Sequence, residues 1–429
     1  MADISVDFAA IIGRIGMLHG MNNGPETTIG SLEQEYRELG VPFVRFHETL
    51  SPTTKCIEIP FIFRQFEKDE NDPANYYFGP TDKCVEAAVR NKVAVMYRLG
   101  MGTEAMSPKK WCKPPEDFDK WARITVNIIR HYNDGWANGF HYGLKYWEIW
   151  NEPDLKEYWS GEYADFFRLY EKAAKAIKAH DPRLKVGGAG AAFSYGPNDE
   201  FTQGFFGHIL ESHSPIDFFS WHFYCDNSQL VRERAAAANA TLEKYGLRGK
   251  IENINSEWHG TGLHGAAQQW DLRNVQRISV AVCNAAAMIV MQKAGVDKAA
   301  YYDFDPRTTL CGIVDPYYRK YKSFYSFKMF NYLYRAGNEC ASSCSAEGMC
   351  ALAARGEREA YLLIANESAD TREYELDITG LAPSSAEFYI LDETRDVALF
   401  DSDAFAAKRV LKRLLIPRQS VVLGRFRME

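Results

Sequence analysis

Short apolar runs alternate with helical patterns along the first three-quarters of the chain. Eight such runs are nearly continuous in apolar residues, as expected for parallel strands that are covered on both faces. They are Arg14–His19, Pro42–His47, Val93–Leu99, Tyr146–Asn151, Leu184–Gly188, Asp217–Tyr224, Ile251–Glu257 and Lys298–Asp303. Because a helical pattern follows each strand, the sequence predicts an α/β fold of the (β/α)8 TIM barrel type.

The helical pattern is clearest over Gly161–His180. Its apolar positions, among them Phe166, Tyr170 and Ile177, recur three and four residues apart and therefore share one helix face. Asp181-Pro182 predicts the end of that helix. A second amphipathic helix is predicted over Asp117–Tyr132.

A doubly wound open sheet is the alternative α/β architecture. Such sheets usually have fewer strands, and their dinucleotide-binding members carry a glycine-rich loop after the first strand. The spacing of Gly13, Gly16 and Gly20 does not match that loop. The barrel is therefore the favoured architecture.

The pattern changes near residue 336, after a last helical segment at Tyr321–Arg335. Short alternating runs separated by turn signals then follow, at Ala360–Ala365, Glu373–Ile378, Glu387–Leu391 and Ser420–Phe426. They predict a C-terminal antiparallel β-sandwich over residues 336–429, after a barrel over residues 12–335. Ile4–Phe8, within residues 1–11, is a candidate further strand of that sandwich.

Composition excludes several classes of protein. The 429 residues are 46% hydrophobic and 25% charged, which is typical of a globular chain and not of a disordered one. The net charge of −7 gives no basic footprint, so no nucleic-acid partner is expected. No apolar run reaches the roughly 18 residues of a membrane span. The longest, Ile278–Val290, is interrupted by polar residues and predicts a buried helix.

The nine cysteines are odd in number and scattered, so they cannot all pair with one another. Cys84 and Cys283 lie in apolar helical patterns. Free buried thiols in a reducing compartment are the simplest account of such positions. Met1–Asp7 shows no signal peptide pattern, and a cytoplasmic location is expected. Cys340, Cys344 and Cys350 are the densest group, but their spacing fits no zinc template. Their role stays open, as does the oligomeric state, and no metal or cofactor is expected.

Polar residues collect where the predicted strands end. The active sites of (β/α)8 barrels lie at the carboxyl ends of the strands, so these positions are the candidates for chemistry. They are Arg45 and His47 after the second strand, Asn151 and Glu152 after the fourth, His222 and Tyr224 after the sixth, Glu257 and Trp258 after the seventh, and Asp303 and Asp305 after the eighth.

Glu152 and Glu257 follow strands on opposite sides of the predicted barrel. Two opposed carboxyl groups are what cleavage of a glycosidic bond requires, one protonated and one ionised. Arg45 is expected to lower the pKa of Glu257. The apolar rings of three nearby tryptophans, at positions 147, 150 and 159, are expected to raise the pKa of Glu152. The retaining form of the reaction predicts a separation of about 5–5.5 Å.

The sequence around Glu152 resembles a known signature. Trp147-Glu148-Ile149-Trp150-Asn151-Glu152-Pro153-Asp154 is similar to the acid/base motif of a clan of retaining glycoside hydrolases built on (β/α)8 barrels. The longer run through Trp159 and on to Leu184–Gly188 resembles glycoside hydrolase family 39, notably its bacterial β-xylosidases. Val44–His47 and Asp217–Tyr224 support the resemblance, which covers the barrel and extends to a terminal β-sandwich.

The resemblance implies a role for each matching residue. Glu152 would be the general acid/base, Glu257 the nucleophile, and Asn151 a hydrogen-bond partner of the sugar 2-hydroxyl. Arg45 would hold and ionise Glu257, and Tyr224 would donate a hydrogen bond to it.

His47 and His222 would bind the sugar that is released. Each of the residues with an implied role also has a structural alternative. Asn151 could form a turn, Arg45 a structural ion pair and Tyr224 part of the rim, and the two histidines could be structural. Trp258 is either an aromatic wall of the pocket or a core residue.

The eighth unit departs from the family. Its xylosidases place a tryptophan and a sugar-binding glutamate there, whereas this chain has Tyr302-Asp303-Phe304-Asp305. Asp303 or Asp305 would replace the glutamate or cap the loop. The expected substrate is therefore an oligosaccharide or glycoside, with β-xylosidase activity first and an arabinose-releasing or disaccharide-releasing exo-glycosidase next.

Two other classes of function are weaker. A carbohydrate-binding barrel without activity would normally lack one of the two carboxylates, and both are present here. A metal-dependent hydrolase or lyase could use His47, His222 and Asp303. Closely spaced ligand pairs such as His-x-His would be expected for it, and no predicted strand ends in one.

Overall fold

The computed structural model describes residues 2–27, 30–47, 50–51, 54–55, 57–102, 112–260, 276–304, 312–381, 384–403 and 409–428. A closed parallel barrel and a nine-stranded β-sheet make up its architecture. The predicted fold class, a (β/α)8 barrel with a C-terminal β domain, is confirmed.

The barrel closes in the order β2-β3-β6-β7-β8-β9-β10-β11, so its strands follow one another in chain order. These eight are β2 (Met17–Asn22), β3 (Phe43–Phe46), β6 (Ala94–Leu99), β7 (Tyr146–Ile149), β8 (Lys185–Ala191), β9 (Phe218–Tyr224), β10 (Glu252–His259) and β11 (Lys298–Tyr301). A two-stranded ribbon, β4 (Leu50–Ser51) with β5 (Thr54–Lys55), follows the second barrel strand.

Helices cover the outside of the barrel. The described helices are α1 (Glu33–Leu39), α2 (Ile59–Ile62), α3 (Gly79–Arg90), α4 (Phe118–Asp134), α5 (Tyr163–His180), α6 (Glu200–Ser212), α7 (Ser228–Lys244), α8 (Ile278–Ala294) and α9 (Lys322–Ala336). Helix α5 buries the predicted apolar face and ends directly before Asp181-Pro182. Helix α8 is buried over nearly its whole length, as predicted, because it lies between the barrel and the β-sheet.

The β-sheet combines the N-terminal strand with the C-terminal strands. Its strands are β1 (Ile4–Arg14), β12 (Asn338–Cys344), β13 (Met349–Arg355), β14 (Glu359–Asn366), β15 (Arg372–Thr379), β16 (Ser385–Leu391), β17 (Asp396–Asp403), β18 (Arg409–Ile416) and β19 (Ser420–Arg427). The order is β17-β16-β19-β14-β13-β12-β1-β15-β18, and every pair is antiparallel except β1 with β15.

The sheet curls over a core of its own. Phe8 of β1 and Phe426 of β19 lie four strands apart in the sheet order, yet their ring centroids are 5.3 Å apart. The inward residues of both halves form one apolar cluster, as in a sandwich. The parallel pairing of β1 with β15 differs from the predicted antiparallel arrangement. It arises because Ile4–Phe8 joins the sheet as an added strand.

The first barrel strand lies three residues later than predicted. Arg14 pairs with Asn338 in the β-sheet, and the chain enters the barrel only after Gly16. Hydrophobicity runs through both strands, so the pattern gives no boundary between them. As a consequence Asn22, and not His19, stands at the carboxyl end of this strand.

Polarity changes from one layer to the next inside the barrel. A small apolar layer of Phe43, Met96, Phe218, Ile254 and Ala300 fills its amino-terminal half. Two residues further along each strand, the same inward direction is taken by charged or polar side chains. Arg45, Arg98, Glu148 and Ser220 are all fully buried there. The carboxyl-terminal half of the barrel therefore holds a polar interior.

The described part of the chain holds no helix long and apolar enough to traverse a bilayer. The three clustered cysteines point to separate backbone carbonyls, of Phe8, Ala346 and Ala286. Among the described residues, Cys340, Cys344 and Cys350 do not form a group that could hold a metal ion.

Candidate active site

The turn after the fourth barrel strand presents Asn151 and Glu152 to the barrel mouth. Trp150 and Glu152 both adopt left-handed backbone conformations, with φ of 71° and 48°. Such conformations cost roughly 1–3 kcal/mol each for residues other than glycine, and they persist where the surroundings fix them. Here the backbone N–H of Trp150 donates to Leu99 and that of Glu152 donates to Gly190, at 2.8 and 2.9 Å.

Trp150 anchors this turn from behind. Its indole N–H donates to the carbonyl of Tyr158 at 2.8 Å, and its ring packs on Trp121 and Trp159. A Cβ at position 100 would lie 2.7 Å from the Trp150 ring, so only glycine fits there. The tryptophan supports the strained turn, and its ring packs into the surrounding core.

Glu257 is aimed by a β-bulge in the seventh barrel strand. The register of β10 against β9 shifts between Asn255 and Glu257, where Ser256 is the extra residue. A bulge of this kind re-aims a side chain near an active site. Glu257 consequently lies opposite His222 in register and points into the barrel mouth.

The two carboxyl groups meet at His222. Its Nδ1 lies 2.8 Å from Glu152 Oε1 and 3.7 Å from Glu257 Oε2. The three contacting atoms are all within 4.8 Å of one another. Glu152 is 7% and Glu257 5% exposed, so both carboxyl groups are largely withdrawn from bulk water.

Arg45 lies beneath the two carboxyl groups, deeper in the barrel, and contacts both of the chain segments that carry them. Its Nη1 donates to Glu257 Oε2 at 3.0 Å and to Asn22 Oδ1 at 3.1 Å. Its Nη2 donates to Asn151 Oδ1 at 2.8 Å. The Asn151 amide is thereby oriented, and its Nδ2 has no acceptor within the part of the chain that the structure describes.

The sequence did not single out Glu148, the fourth partner of Arg45. Arg45 Nε donates to Glu148 Oε2 at 2.6 Å, and both side chains are fully buried. A signal for Glu148 exists in the sequence: it is a charged residue inside an apolar strand, two positions from inward-facing Tyr146. Asn22 carries a similar signal, which the misplaced first strand concealed.

Two further predicted residues contact Glu257. The Tyr224 hydroxyl donates a hydrogen bond to its Oε1. His47 Nε2 lies 3.6 Å from its Oε2, and the His47 ring also contacts Tyr302, with centroids 5.9 Å apart. Tyr302 therefore lies beside this group, although its place in the sequence pattern indicates no role.

Electrostatics act on Glu257 in opposite directions. Burial, together with the charge of Glu152, raises the pKa of Glu257 to about 7. His222, Arg45 and the Tyr224 hydroxyl oppose that rise without cancelling it. The expected lowering of this pKa by Arg45 is thus outweighed, because desolvation of a buried carboxylate is the larger effect. Two carboxyl groups in one pocket then share a proton up to near neutral pH.

His222 stays neutral in this setting. Burial and the neighbouring Arg45 lower its pKa to about 4, although Glu257 and Glu148 act in the opposite sense. A neutral imidazole nitrogen can donate to an ionised carboxylate or accept from a protonated carboxyl group, depending on the tautomer. His222 can therefore contact Glu152 in both of its protonation states.

The structure places the remaining predicted residues elsewhere. Trp258 packs against Tyr301 of β11 and Phe327 of helix α9, as the core alternative for this residue describes. Neighbouring strand residues point to opposite faces, so Trp258 faces outward where Glu257 faces inward. Asp303 is buried and accepts a hydrogen bond from Asn23 Nδ2 at 3.0 Å. Asp305 lies outside the described residues.

Glu152, His222 and Glu257 also have the spacing of a metal ligand set. Arg45 already lies 3.0 Å from Glu257, so a bound cation would stand close to a buried guanidinium. Coulomb repulsion in a poorly solvated interior opposes that arrangement. The residues fit a proton-transfer pair better than a metal centre.

The chain is similar in sequence and in fold to known glycosidases. A β-xylosidase of Geobacillus stearothermophilus is 27% identical over 216 residues, which are 45% of this chain and 40% of the relative. The match therefore spans less than half of that relative's length. A glucosidase structure from Croceicoccus marinus aligns over 100% of this chain and 99% of its own, with 24% identity and a TM-score of 0.83.

A family 39 β-xylosidase structure from Caulobacter crescentus aligns over 99% of both chains, with 18% identity and a TM-score of 0.73. At these identities the two structures support the fold alone. The sequence profile described as Glycosyl hydrolases family 39 matches residues 27–304 and so covers most of the barrel, including both carboxylates. The chain belongs to glycoside hydrolase family 39.

Proposed function

We propose that the protein is a retaining glycoside hydrolase that cleaves terminal glycosidic bonds by double displacement. The observation that carries this proposal is the approach of Glu152 and Glu257 to within 4.8 Å at the barrel mouth. Retaining enzymes place their carboxyl groups about 5–5.5 Å apart, whereas inverting enzymes leave about 6.5–9.5 Å for a water molecule. The short separation favours retention.

In the first step Glu257 attacks the anomeric carbon while Glu152 protonates the leaving oxygen. This step requires an ionised Glu257 and a protonated Glu152, and the hydrogen bonds from Arg45 and Tyr224 favour the ionised form of Glu257. The glycosidic carbon–oxygen bond breaks, a covalent glycosyl ester forms on Glu257, and the leaving group departs as an alcohol.

In the second step the ionised Glu152 removes a proton from water, which attacks the same carbon and releases Glu257. Two inversions give net retention at the anomeric centre. His222 supports both steps, because its neutral ring can contact either state of Glu152. Asn151, held by Arg45, offers its Nδ2 donor to the sugar 2-hydroxyl.

For the substrate we propose a terminal β-linked xyloside of a plant-type glycan. Similarity to the Geobacillus β-xylosidase supports this choice. An arabinose-releasing or disaccharide-releasing exo-glycosidase is the second candidate, because the eighth unit has Asp303 and Asp305 in place of the tryptophan and sugar-binding glutamate of the xylosidases that the chain resembles. A barrel that binds carbohydrate without cleaving it remains as the inactive alternative.

A panel of aryl glycosides tests the proposal. We expect turnover of the β-xyloside, or of the α-arabinosides under the second candidate, and little turnover of the β-galactoside and β-glucoside. Proton NMR of the first-formed product should show the anomer of the substrate. An inverted product would refute the retaining mechanism, and no turnover of any substrate in the panel would favour a longer natural glycan or the binding alternative.

The metal-dependent alternative is separated by a chelator. Activity should survive dialysis against EDTA, because the proposed chemistry uses only protein carboxyl groups. Loss of activity that returns with one divalent metal would assign the group of Glu152, His222 and Glu257 to a metal centre.

We further propose a cytoplasmic location. Cys225, Cys283, Cys340, Cys344 and Cys350 are all thiols, and a reducing compartment keeps thiols in that state. Fractionation of cells that express the native gene tests this, and recovery in the extracellular fraction would overturn it.

A further inference from the structure

Arg45 stands between two buried carboxylates, only one of which takes part in the proposed chemistry. Its Nε lies 2.6 Å from Glu148, and its Nη1 lies 3.0 Å from Glu257. The side chains of Arg45 and Glu148 are 0% exposed, and that of Glu257 is 6% exposed. Glu148 lies one layer deeper in the barrel than the carboxylate pair, where no reacting atom is expected.

Arg45 therefore attracts two carboxylates at once, those of Glu148 and Glu257. In a poorly solvated interior a guanidinium that is paired with one carboxylate stabilises a second carboxylate less than a free guanidinium would. This reduction is the repulsion that an ionised Glu148 exerts on negative charge at Glu257, and it makes Glu257 hold its proton more strongly.

From this geometry we infer that Glu148 is a positioning residue, which fixes Arg45 beneath the two carboxyl groups and sets the pH range in which they share one proton. The inference rests on the proposed function of Glu152 and Glu257. It assigns Glu148 no contact with substrate and no proton transfer of its own.

The titratable and charged groups that face this pair within the described part of the chain are consistent with the inference. Glu257 is faced by Arg45 and His47 from β3, by His222 and Tyr224 from β9, and by Glu152 from the turn after β7. Arg45 is otherwise contacted by the neutral amides of Asn22 and Asn151. Glu148 is thus the anion that balances Arg45 from outside the reacting pair.

Protonation states agree with this assignment. Burial alone would raise the pKa of Glu148, but the groups around it, Arg45 foremost, more than reverse this, so the pKa of Glu148 is lowered. Glu148 consequently stays ionised while the pKa of Glu257 is raised to about 7 in spite of Arg45. The inference requires an ionised Glu148, because only a negative charge there offsets the positive charge of Arg45.

Substitution Glu148→Gln tests the inference, because glutamine keeps the shape and the acceptor for Arg45 Nε but removes the charge. The pH profile of kcat/KM should move to lower pH by about one unit, the size expected for one buried charge acting across the barrel. The matched control is Glu252→Gln. Glu252 is on the opposite end of strand β10, ion-paired to Lys298 at 2.6 Å and Lys185 at 3.0 Å, and its loss should leave the profile in place.

An unmoved profile in a folded Glu148→Gln enzyme, or a move to higher pH, would overturn the inference. Glu148→Asp keeps the charge but shortens the arm. It should lower kcat with the profile in place, whereas a shift like that of the glutamine variant would also contradict us.

Carboxyl 13C NMR titration provides a test that needs no substrate, and its first part uses the wild-type protein alone. The Glu148 resonance should not titrate between pH 5 and 8, and titration in that range would overturn the inference. Glu257, observed in the same spectra of wild type and Glu148→Gln, should titrate at lower pH in the variant. Because this readout is independent of turnover, failure of the proposed hydrolase activity would not hide the outcome.

Discussion

Removal of the Tyr224 hydroxyl is the most informative single change at this site. The substitution Tyr224→Phe deletes one oxygen that donates to Glu257 and keeps the ring. A hydrogen bond to a charged group contributes about 1.5–3 kcal/mol, and one pKa unit corresponds to about 1.4 kcal/mol. The pKa of Glu257, already raised by burial, should therefore rise further by roughly one to two units.

The sign of the effect on activity follows from the role of Glu257. The proposed nucleophile is active only when ionised, so a higher pKa moves the acidic limb of the kcat/KM profile to higher pH. On that limb the variant should lose about ten- to hundred-fold in kcat/KM, and the loss should shrink as the pH rises. Initial rates with the aryl β-xyloside from pH 4 to 9 measure the shift of the acidic limb and the loss in kcat/KM.

Tyr170→Phe is the matched control for this experiment. Tyr170 is also buried, but its hydroxyl donates to the carbonyl of Pro215 at 3.1 Å, behind the barrel wall. Its loss should affect the melting temperature and leave the profile in place. An acidic limb that stays in place in a folded Tyr224→Phe enzyme would refute the electrostatic reasoning given for Glu257.

Three further predictions concern the carboxyl groups and their surroundings. Glu257→Ala should abolish turnover, and added azide should restore it with a glycosyl azide of inverted configuration as product; near-normal activity without azide would show that the nucleophile is another residue. Glu152→Gln should slow substrates with poor leaving groups by about 10²–10⁴-fold and activated aryl glycosides much less, and equal losses on both would contradict an acid role. Gly190→Ala should lower kcat/KM more than Gly246→Ala, measured alongside melting temperatures. Both glycines have positive φ, but a Cβ at position 190 would lie 3.2 Å from His222 Nε2, whereas one at position 246 would meet nothing within 4 Å.

The barrel was predictable because each of its units carries a local signal. The strands at Pro42–His47, Tyr146–Asn151 and Asp217–Tyr224 were located to within two residues at each end, since buried parallel strands appear as uninterrupted apolar runs. The first strand lies later than predicted, because hydrophobic residues continue on both sides of the boundary between β-sheet and barrel, at Ile11, Ile12, Ile15, Met17 and Leu18. Four strands of the sheet were missed, among them Asp396–Asp403, whose mixed exposure gives no clear alternation.

Residue chemistry at the strand ends was predictable, but side-chain direction was less so. Arg45, His47, Asn151, His222 and Tyr224 lie where the sequence placed them. For Trp258 the sequence left a pocket wall and a core position open, and alternation along the strand turns it toward Phe327 once Ser256 is inserted as a bulge. A bulge adds one residue to one strand, and the apolar pattern of Ile251–Glu257 does not signal it.

By itself the sequence determined the fold class, the two opposed glutamates and the family resemblance, because these depend on local periodicity and on residue types at strand ends. Only the tertiary structure decided the state of the site. It showed that Arg45 contacts both Glu148 and Glu257, and that burial raises the pKa of Glu257 by more than the guanidinium lowers it. The physical reason is that desolvation and charge sharing depend on distances between side chains from different strands, and a linear sequence does not contain those distances.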